Sequence, residues 1–317
     1  MPETALAFDG VTKRFGDFTA VNDLTFAIPE GTIFGFLGGN GAGKTTSLRM
    51  ALDIISPTTG TISVLGKPPS RENSSDIGFL PEERGLYKKM GVLDTIVYFA
   101  RLKHMDAEPA KKAAMALLER LELADWAKSP IEKLSKGMAQ KVQVATALVN
   151  SPRLLMLDEP FSGLDPVNQA MLEDLIADAA KGGATVVFST HVMQHAERLC
   201  DRLLMLARGQ KRFDGTQEEA RDALPSRLTL TSRADPSNLS GVASARATGA
   251  GQDGWSEYAI ELADGTTPDA LLEHCTANGF ALRGFETRAP SLHEVFIHFV
   301  GEDADIAHAT ANREIAA

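Results

Sequence analysis

Cysteine is nearly absent: only Cys200 and Cys275 occur among 317 residues, far apart and with no ligand spacing around either. This argues against a disulfide scaffold or a cysteine metal site and leads us to expect two reduced, buried thiols. Long apolar runs are also missing. None approaches the roughly 20 residues that a spanning helix needs, and the opening MPETALAFDGVTKRF has no apolar stretch of the kind a signal peptide carries. A cytosolic chain is expected. Positive charge is in deficit, with 32 Lys and Arg against 42 Asp and Glu and a net charge of −10. The chain therefore lacks the surplus of cations that neutralises duplex phosphates or holds a protein on anionic lipid. No repeat of solenoid length occurs. What is present is 44% apolar residues, enough to give about two domains a core each.

From residue 5 to 34, short apolar runs alternate with turn residues, and PEG leads into TIFGFLGG, a strand ending in glycines. GKTTSLRMALDII has helical composition, SPTTG stops it, and TISVLG resumes strand character. Between Val92 and Asn150 the apolar spacing of three and four predicts helices, an insertion placed at about 85–150. RLLMLDE and ATVVFSTH are strand-like and flank the helix-like PVNQAMLEDLIADAAKGG, the alternation of a parallel sheet. Beyond Pro225 short strands and two helices mix. The expected layout is an α/β domain over 5–225, an α+β domain over 226–300 and an unordered tail over 301–317.

GGNGAGKTT fits G-x-x-x-x-G-K-[ST] at Gly38, Gly43, Lys44 and Thr45, between a predicted strand and a predicted helix. In such a loop Gly38, Gly39, Asn40, Gly41, Ala42 and Gly43 turn backbone N–H groups toward phosphate oxygens, and Lys44 neutralises the β- and γ-phosphates. Thr45 offers a hydroxyl to magnesium, and Thr46 follows at the helix start. In LLMLDEPFSGLD, four apolar residues end at Asp158 and Glu159. So short a run is strand or buried helix by pattern alone. As a strand, it supplies Asp158 to the water shell of magnesium and Glu159 as acceptor of a proton from attacking water.

With LSKGM (Leu134 to Met138) before that run and SGLD (Ser162 to Asp165) after it, the chain resembles the ATP-binding subunits of ABC transporters over about residues 5–215. The resemblance implies the P-loop fold of ABC type: a parallel core sheet, a small antiparallel β subdomain and a helical insertion. Two subunits would sandwich two ATP molecules head to tail with Mg²⁺, Ser135 and Gly137 of one facing the ATP of the other. Ser135 also reads as a helix N-cap. Asp165 would run along the dimer interface, His191 of STH would be the switch histidine that orients base and water, and Phe15 and Val21 would meet the adenine. Four positions depart from the common pattern: Lys136 and Met138 in the signature, Glu82 in IGFLPEERG where a glutamine is usual, and Phe15 where the adenine platform is usually Tyr. Glu82 is carried as a magnesium contact.

The same resemblance implies a separate membrane permease, a location on the inner face of the membrane through it, and a direction of export, since PSLHEVFIHFV is similar to the end of an accessory domain of exporter-type ATPases. An ABC-type ATPase acting on ribosomes or in DNA repair is the alternative; a small-molecule kinase would leave LSKGM and SGLD unexplained. Leu86, Tyr87 and Met90, apolar residues in a Gly- and Lys-rich stretch, are expected to receive the permease. Ser291 and Glu294 have the spacing of a capping box, ahead of an apolar stripe of Leu292, Val295, Phe296 and Phe299 expected to pack on the C-terminal domain's own sheet.

Overall fold

The computed structural model describes residues 3–83, 85–224, 227–250 and 252–301. Its contacts divide into two compact units, one of residues 1–217 with 296–317, the other of 218–295. Strands β1 (Thr4–Phe15) and β2 (Phe18–Pro29) form an antiparallel hairpin closed by Gly16 and Asp17, with Phe15 opposite Phe18. Gly16 takes the positive φ that so tight a turn requires. After β3 (Ile33–Leu37) and α1 (Lys44–Ala51), β4 (Thr59–Val64) adds to the other side of β1 and completes a three-stranded antiparallel sheet.

The central sheet has six strands in the order β5-β6-β7-β3-β8-β9. Strands β5 (Ile77–Leu80), β6 (Leu154–Leu157), β7 (Thr185–Thr190), β3 and β8 (Arg202–Ala207) run parallel, and β9 (Gln210–Thr216) is an antiparallel edge. Strands β6 and β7 are buried at every position, which suits their lack of polar alternation. LLML is thus a strand. Phe8, Phe26, Phe34 and Phe36 pack where the two sheets meet, Phe8 on Phe26 at 4.7 Å and Phe26 edge-on to Phe36 at 5.3 Å between centroids. Burying each such ring contributes about 1.5–3 kcal/mol.

Helices α2 (Val92–Leu102), α3 (Ala107–Arg120) and α4 (Lys136–Leu148) lie between β5 and β6 in sequence, where the helical insertion was expected. Helix α5 (Pro166–Lys181) joins β6 to β7, and the short α6 (Met193–Leu199) joins β7 to β8. Parallel strands need such crossovers.

After α7 (Gln217–Asp222), the second unit is a four-stranded antiparallel sheet, order β11-β12-β10-β13. Its strands are β10 (Arg227–Ser232), β11 (Val242–Ala250), β12 (Ser256–Leu262) and β13 (Leu282–Arg288), with α8 (Pro268–Ala277) before the last. Leu228, Leu230, Ile260, Leu271 and Cys275 form its core. Cys200 and Cys275 are free and buried, and burial pushes both thiols up from their ordinary pKa.

A last helix, α9, covers residues 292–301. Its capping box is made as expected: the Ser291 N–H donates to Glu294 Oε2 at 2.9 Å and the Glu294 N–H to Ser291 Oγ at 3.3 Å. Against the expectation that the apolar stripe packs on the C-terminal sheet, its Phe299 lies 5.2 Å from Phe213 of β9, both within the first unit. Gly301, read as the start of the tail, is helical; the rest of that segment and Pro225 lie outside the described residues. Among the described residues no helix is long and apolar enough to cross a membrane.

Candidate functional site

The parallel register brings the C-terminal ends of β3, β6 and β7 to one edge, where open α/β sheets bind ligands. The glycine loop leaves β3 there. Gly43 has φ +104, and a Cβ on it would stand 2.7 Å from the Ala20 carbonyl oxygen; a Cβ on Gly38 would stand 2.7 Å from that of Leu206. Only glycine fits these two approaches. The buried Lys44 curls back at the start of α1 and donates from Nζ to the carbonyls of Gly38 at 2.6 Å and Gly39 at 3.2 Å.

Asp158 and Glu159 follow β6 directly. Asp158 is buried and accepts at Oδ1 from the Ser189 hydroxyl of β7 at 2.6 Å, while the same Ser189 oxygen accepts from the Glu159 N–H at 2.8 Å. One hydroxyl thus fixes both acids. Glu159 sits at φ +46, an uncommon backbone conformation for a side chain of its size. Its Oε1 faces Lys44 Nζ at 3.4 Å without a hydrogen bond, and its Oε2 lies 3.0 Å from His191 Nδ1. The row Lys44, Glu159, His191 is therefore continuous.

A cavity of about 300 Å³ opens over the loop, lined by Gly39 to Thr46, Glu159, Glu82, Phe18 and Ala20. Thr45 and the exposed Glu82 border it, and Asp158 stands just behind Glu159. Hydroxyl and carboxylate oxygens are the hard donors that magnesium takes, and Mg²⁺ is usually held by one or two carboxylates together with phosphates and water. The donor set fits it on those terms; among the described residues no cluster of three His, Cys, Asp or Glu could hold a metal alone.

Neither of the two expected adenine contacts, Phe15 and Val21, lies in that lining. Val21 is buried at 1% exposure, with Cγ2 3.3 Å from where a Gly43 Cβ would be, so it backs the loop from beneath. Phe15 is half exposed and lies outside the cavity lining, which its hairpin partner Phe18 enters instead. Ser135, Gly137 and Asp165 also lie outside that lining. Ser135 caps α4, accepting from the Met138 N–H at 3.2 Å. Asp165 caps α5, and hydrogen bonds from the Asn168 backbone and side chain hold its carboxyl below the usual range.

Sequence reasoning missed Ser189, Phe18 and Ala20, and also two buried glutamines of α4. Gln140 Nε2 donates to the Pro160 carbonyl at 3.3 Å, and Gln143 Nε2 to those of Pro81 and Glu83 at 3.2 Å each. They tie α4 to the loops after Glu159 and around Glu82. Their spacing of three, on a helix otherwise apolar at those positions, is the signal that could have found them.

A second cavity, of about 510 Å³, lies beside α2 and β5, walled by Leu52, Phe79, Leu86 and Phe99, with Lys103 and Gln143 among its lining. Tyr87 nearby is 51% exposed and edge-on to Tyr98 at 5.7 Å, while Met90 is half-buried.

Residues 21–162 match the ABC transporter family, and residues 215–300 match the C-terminal domain of ATP-binding proteins like DrrA1-3. The chain is 41% identical to the uncharacterized ABC transporter ATP-binding protein YhaQ of Bacillus subtilis, over 93% of this chain and 98% of that one. It is 32% identical to the daunorubicin resistance ATP-binding protein DrrA3 of Streptomyces coeruleorubidus, over 98% and 100%. It is 33% identical to the Nod factor export ATP-binding protein I of Rhizobium meliloti, over 96% and 90%. A solved ATP binding subunit of an ABC transporter superposes with a TM-score of 0.65 at 27% identity, covering 69% of this chain and 93% of that one. The cbiO1 protein of Clostridium perfringens, part of the ABC transporter complex cbiONQ, does so at 0.61 and 26%, covering 68% and 90%.

Proposed function

The chain belongs to the ATP-binding proteins of ABC transporters, and from that membership we propose that it drives an exporter by hydrolysing ATP between two subunits, with Glu159 as general base. One relative matched over nearly its whole length is named for Nod factor export and another for daunorubicin resistance, and these names support export. The alternative on ribosomes or in DNA repair finds no support among them.

The reading is carried by one observation, the unbroken row of Lys44, Glu159 and His191 at the end of β6. Phosphate oxygens entering the loop compete with the Gly38 and Gly39 carbonyls for the Lys44 ammonium and, being charged, win. Glu159 Oε2 takes the proton of the attacking water, and His191 beside it sets the direction of that carboxylate. Thr45, Asp158 and Glu82 would hold Mg²⁺, which when bound neutralises charge on the β- and γ-phosphates. The adenine face is assigned to the exposed hairpin-tip ring Phe15 together with Phe18.

Ser135 and Gly137 start α4 with its positive end toward solvent, and Asp165 caps α5 close by in sequence. Their distance from the cavity lining supports their service to the ATP of a second subunit, a second copy or a sister chain. Leu86, Tyr87 and Met90 are the proposed seat of the permease, which would hold the chain on the inner face of the membrane. Domain limits of 5–225 and 226–300 stand as the proposed evolutionary modules.

Glu159→Gln tests the catalytic assignment. Phosphate release should fall by roughly 10²- to 10⁴-fold, the usual contribution of a general base, with ATP binding retained. Turnover at the wild-type rate would remove Glu159 from the role.

A further inference from the structure

Lys103 is the unusual residue of the α2 groove. It follows the last turn of α2, and its Nζ donates to the Ile77 carbonyl at 2.8 Å and Asn150 Oδ1 at 3.0 Å, both neutral acceptors. No carboxylate lies within ion-pair distance of it among the described residues. An ammonium has three protons to donate, so one is left over. Burial lowers its pKa to about 8, the sign of a cation short of compensation. Gln143, on the same lining, is 3% exposed, and its Oε1 is buried without a hydrogen-bond partner. An apolar groove thus contains one uncompensated cation and one orphan acceptor. A buried polar group left unpaired forgoes its hydration without a replacement bond.

We propose that Lys103 makes this groove selective for a segment of the membrane subunit that presents an Asp or Glu side chain among apolar residues. The carboxylate meets the Lys103 ammonium, and the flanking apolar side chains cover Leu52, Phe79, Leu86 and Phe99. The inference rests on the docking reading above and names the chemistry that the docked segment must carry. A free inorganic anion would satisfy the cation but leave four apolar walls wet. A peptide segment satisfies both, and the exposed Tyr87 and Tyr98 at the rim extend the surface with side chains common at interfaces. Charge sign adds discrimination, since a chain of net charge −10 repels an acidic segment over most of its surface and attracts it here.

The test uses the full chain copurified with its membrane subunit in detergent and treated with a water-soluble carbodiimide, which joins an amine to a carboxylate in contact with it. The expected product is a cross-linked peptide pair of Lys103 with an Asp or Glu of a cytoplasmic segment of the membrane subunit. Lys103→Glu should lower recovery of that subunit about tenfold or more, Lys103→Met by less, and changing the cross-linked acid to Lys should restore recovery with Lys103→Glu. Nucleotide binding by each isolated variant checks folding. Cross-links from Lys103 only to this chain or a second copy, no cross-link at Lys103, or wild-type recovery with Lys103→Glu would overturn the proposal. If recovery survives Lys103→Glu but is lost in the double variant Tyr87→Asp, Met90→Asp, docking stands and the carboxylate inference fails. If both retain the subunit, the docking reading itself fails.

Discussion

Around the glycine loop the central charged groups have opposite or polar neighbours within the chain: Lys44 has two carbonyls and Glu159, Glu159 has His191, and Asp158 has Ser189. In the groove beside α2, Lys103 has, among the described residues, neutral acceptors only and Gln143 Oε1 has no partner. The first arrangement is that of a site whose catalytic groups are held in place before the ligand arrives, because fixed dipoles and charges need no reorganisation during the reaction. The second is that of a surface whose polar groups await a partner of defined chemistry. Both lie on the same unit, joined through α4, whose Gln143 lines the groove and holds the loop around Glu82.

The comparison can be broken most strongly on the groove side. In the folded chain Lys103 loses its proton near pH 8, whereas an unfolded lysine keeps it to about 10.5. Between those values the unfolded state binds more protons, so the stability of the isolated chain gains from this group as pH rises, by about 2 kcal/mol from pH 7.5 to 9.5. The burial penalty is full below pH 8 and relieved above it. Urea unfolding of wild type and Lys103→Met across that range should show the difference; parallel curves would mean that Lys103 is compensated after all.

On the nucleotide side the corresponding lever is Ser189. Ser189→Ala leaves Asp158 Oδ1 and the Glu159 N–H without their shared partner and should lower kcat about tenfold, equivalent to about 1.4 kcal/mol, with a smaller change in KM for ATP. A KM effect with kcat intact would assign Ser189 to binding instead.

A reference outside both regions is the Ser291 cap of α9. Ser291→Ala should cost about 1 kcal/mol of stability, read from thermal unfolding, and leave turnover unchanged.

What was legible in the sequence had its cause close by in the sequence. The glycine loop, the strand ending in Asp158, the caps at Ser135 and Ser291 and the helices of the insertion each depend on residues within a few positions of one another. Ser189 was not legible as a partner of Asp158, because 31 positions separate them and only the parallel register of β6 with β7 brings them together. Gln143 reaches Pro81 across 62 positions in the same way. Phe15 followed from the resemblance, and pattern cannot tell that its hairpin partner Phe18 is the ring that enters the cavity lining. Nothing in the sequence marks Lys103, because its neutral partners Ile77 and Asn150 lie 26 and 47 positions away and meet it only in the packed groove.

The central claim is that the cavity over the glycine loop is half of an ATP site, completed by Ser135 of a second subunit and emptied by Glu159. It is tested most directly by giving ATP and Mg²⁺ to the Glu159→Gln chain and measuring mass and bound nucleotide together by sedimentation. The expected result is an ATP-dependent pair of subunits holding uncleaved ATP at one per chain, lost again with Ser135→Arg; a sister chain would have to be supplied if this one pairs only with it. Pairs that form equally well without ATP, or with Ser135→Arg, or that hold only ADP, would contradict the account.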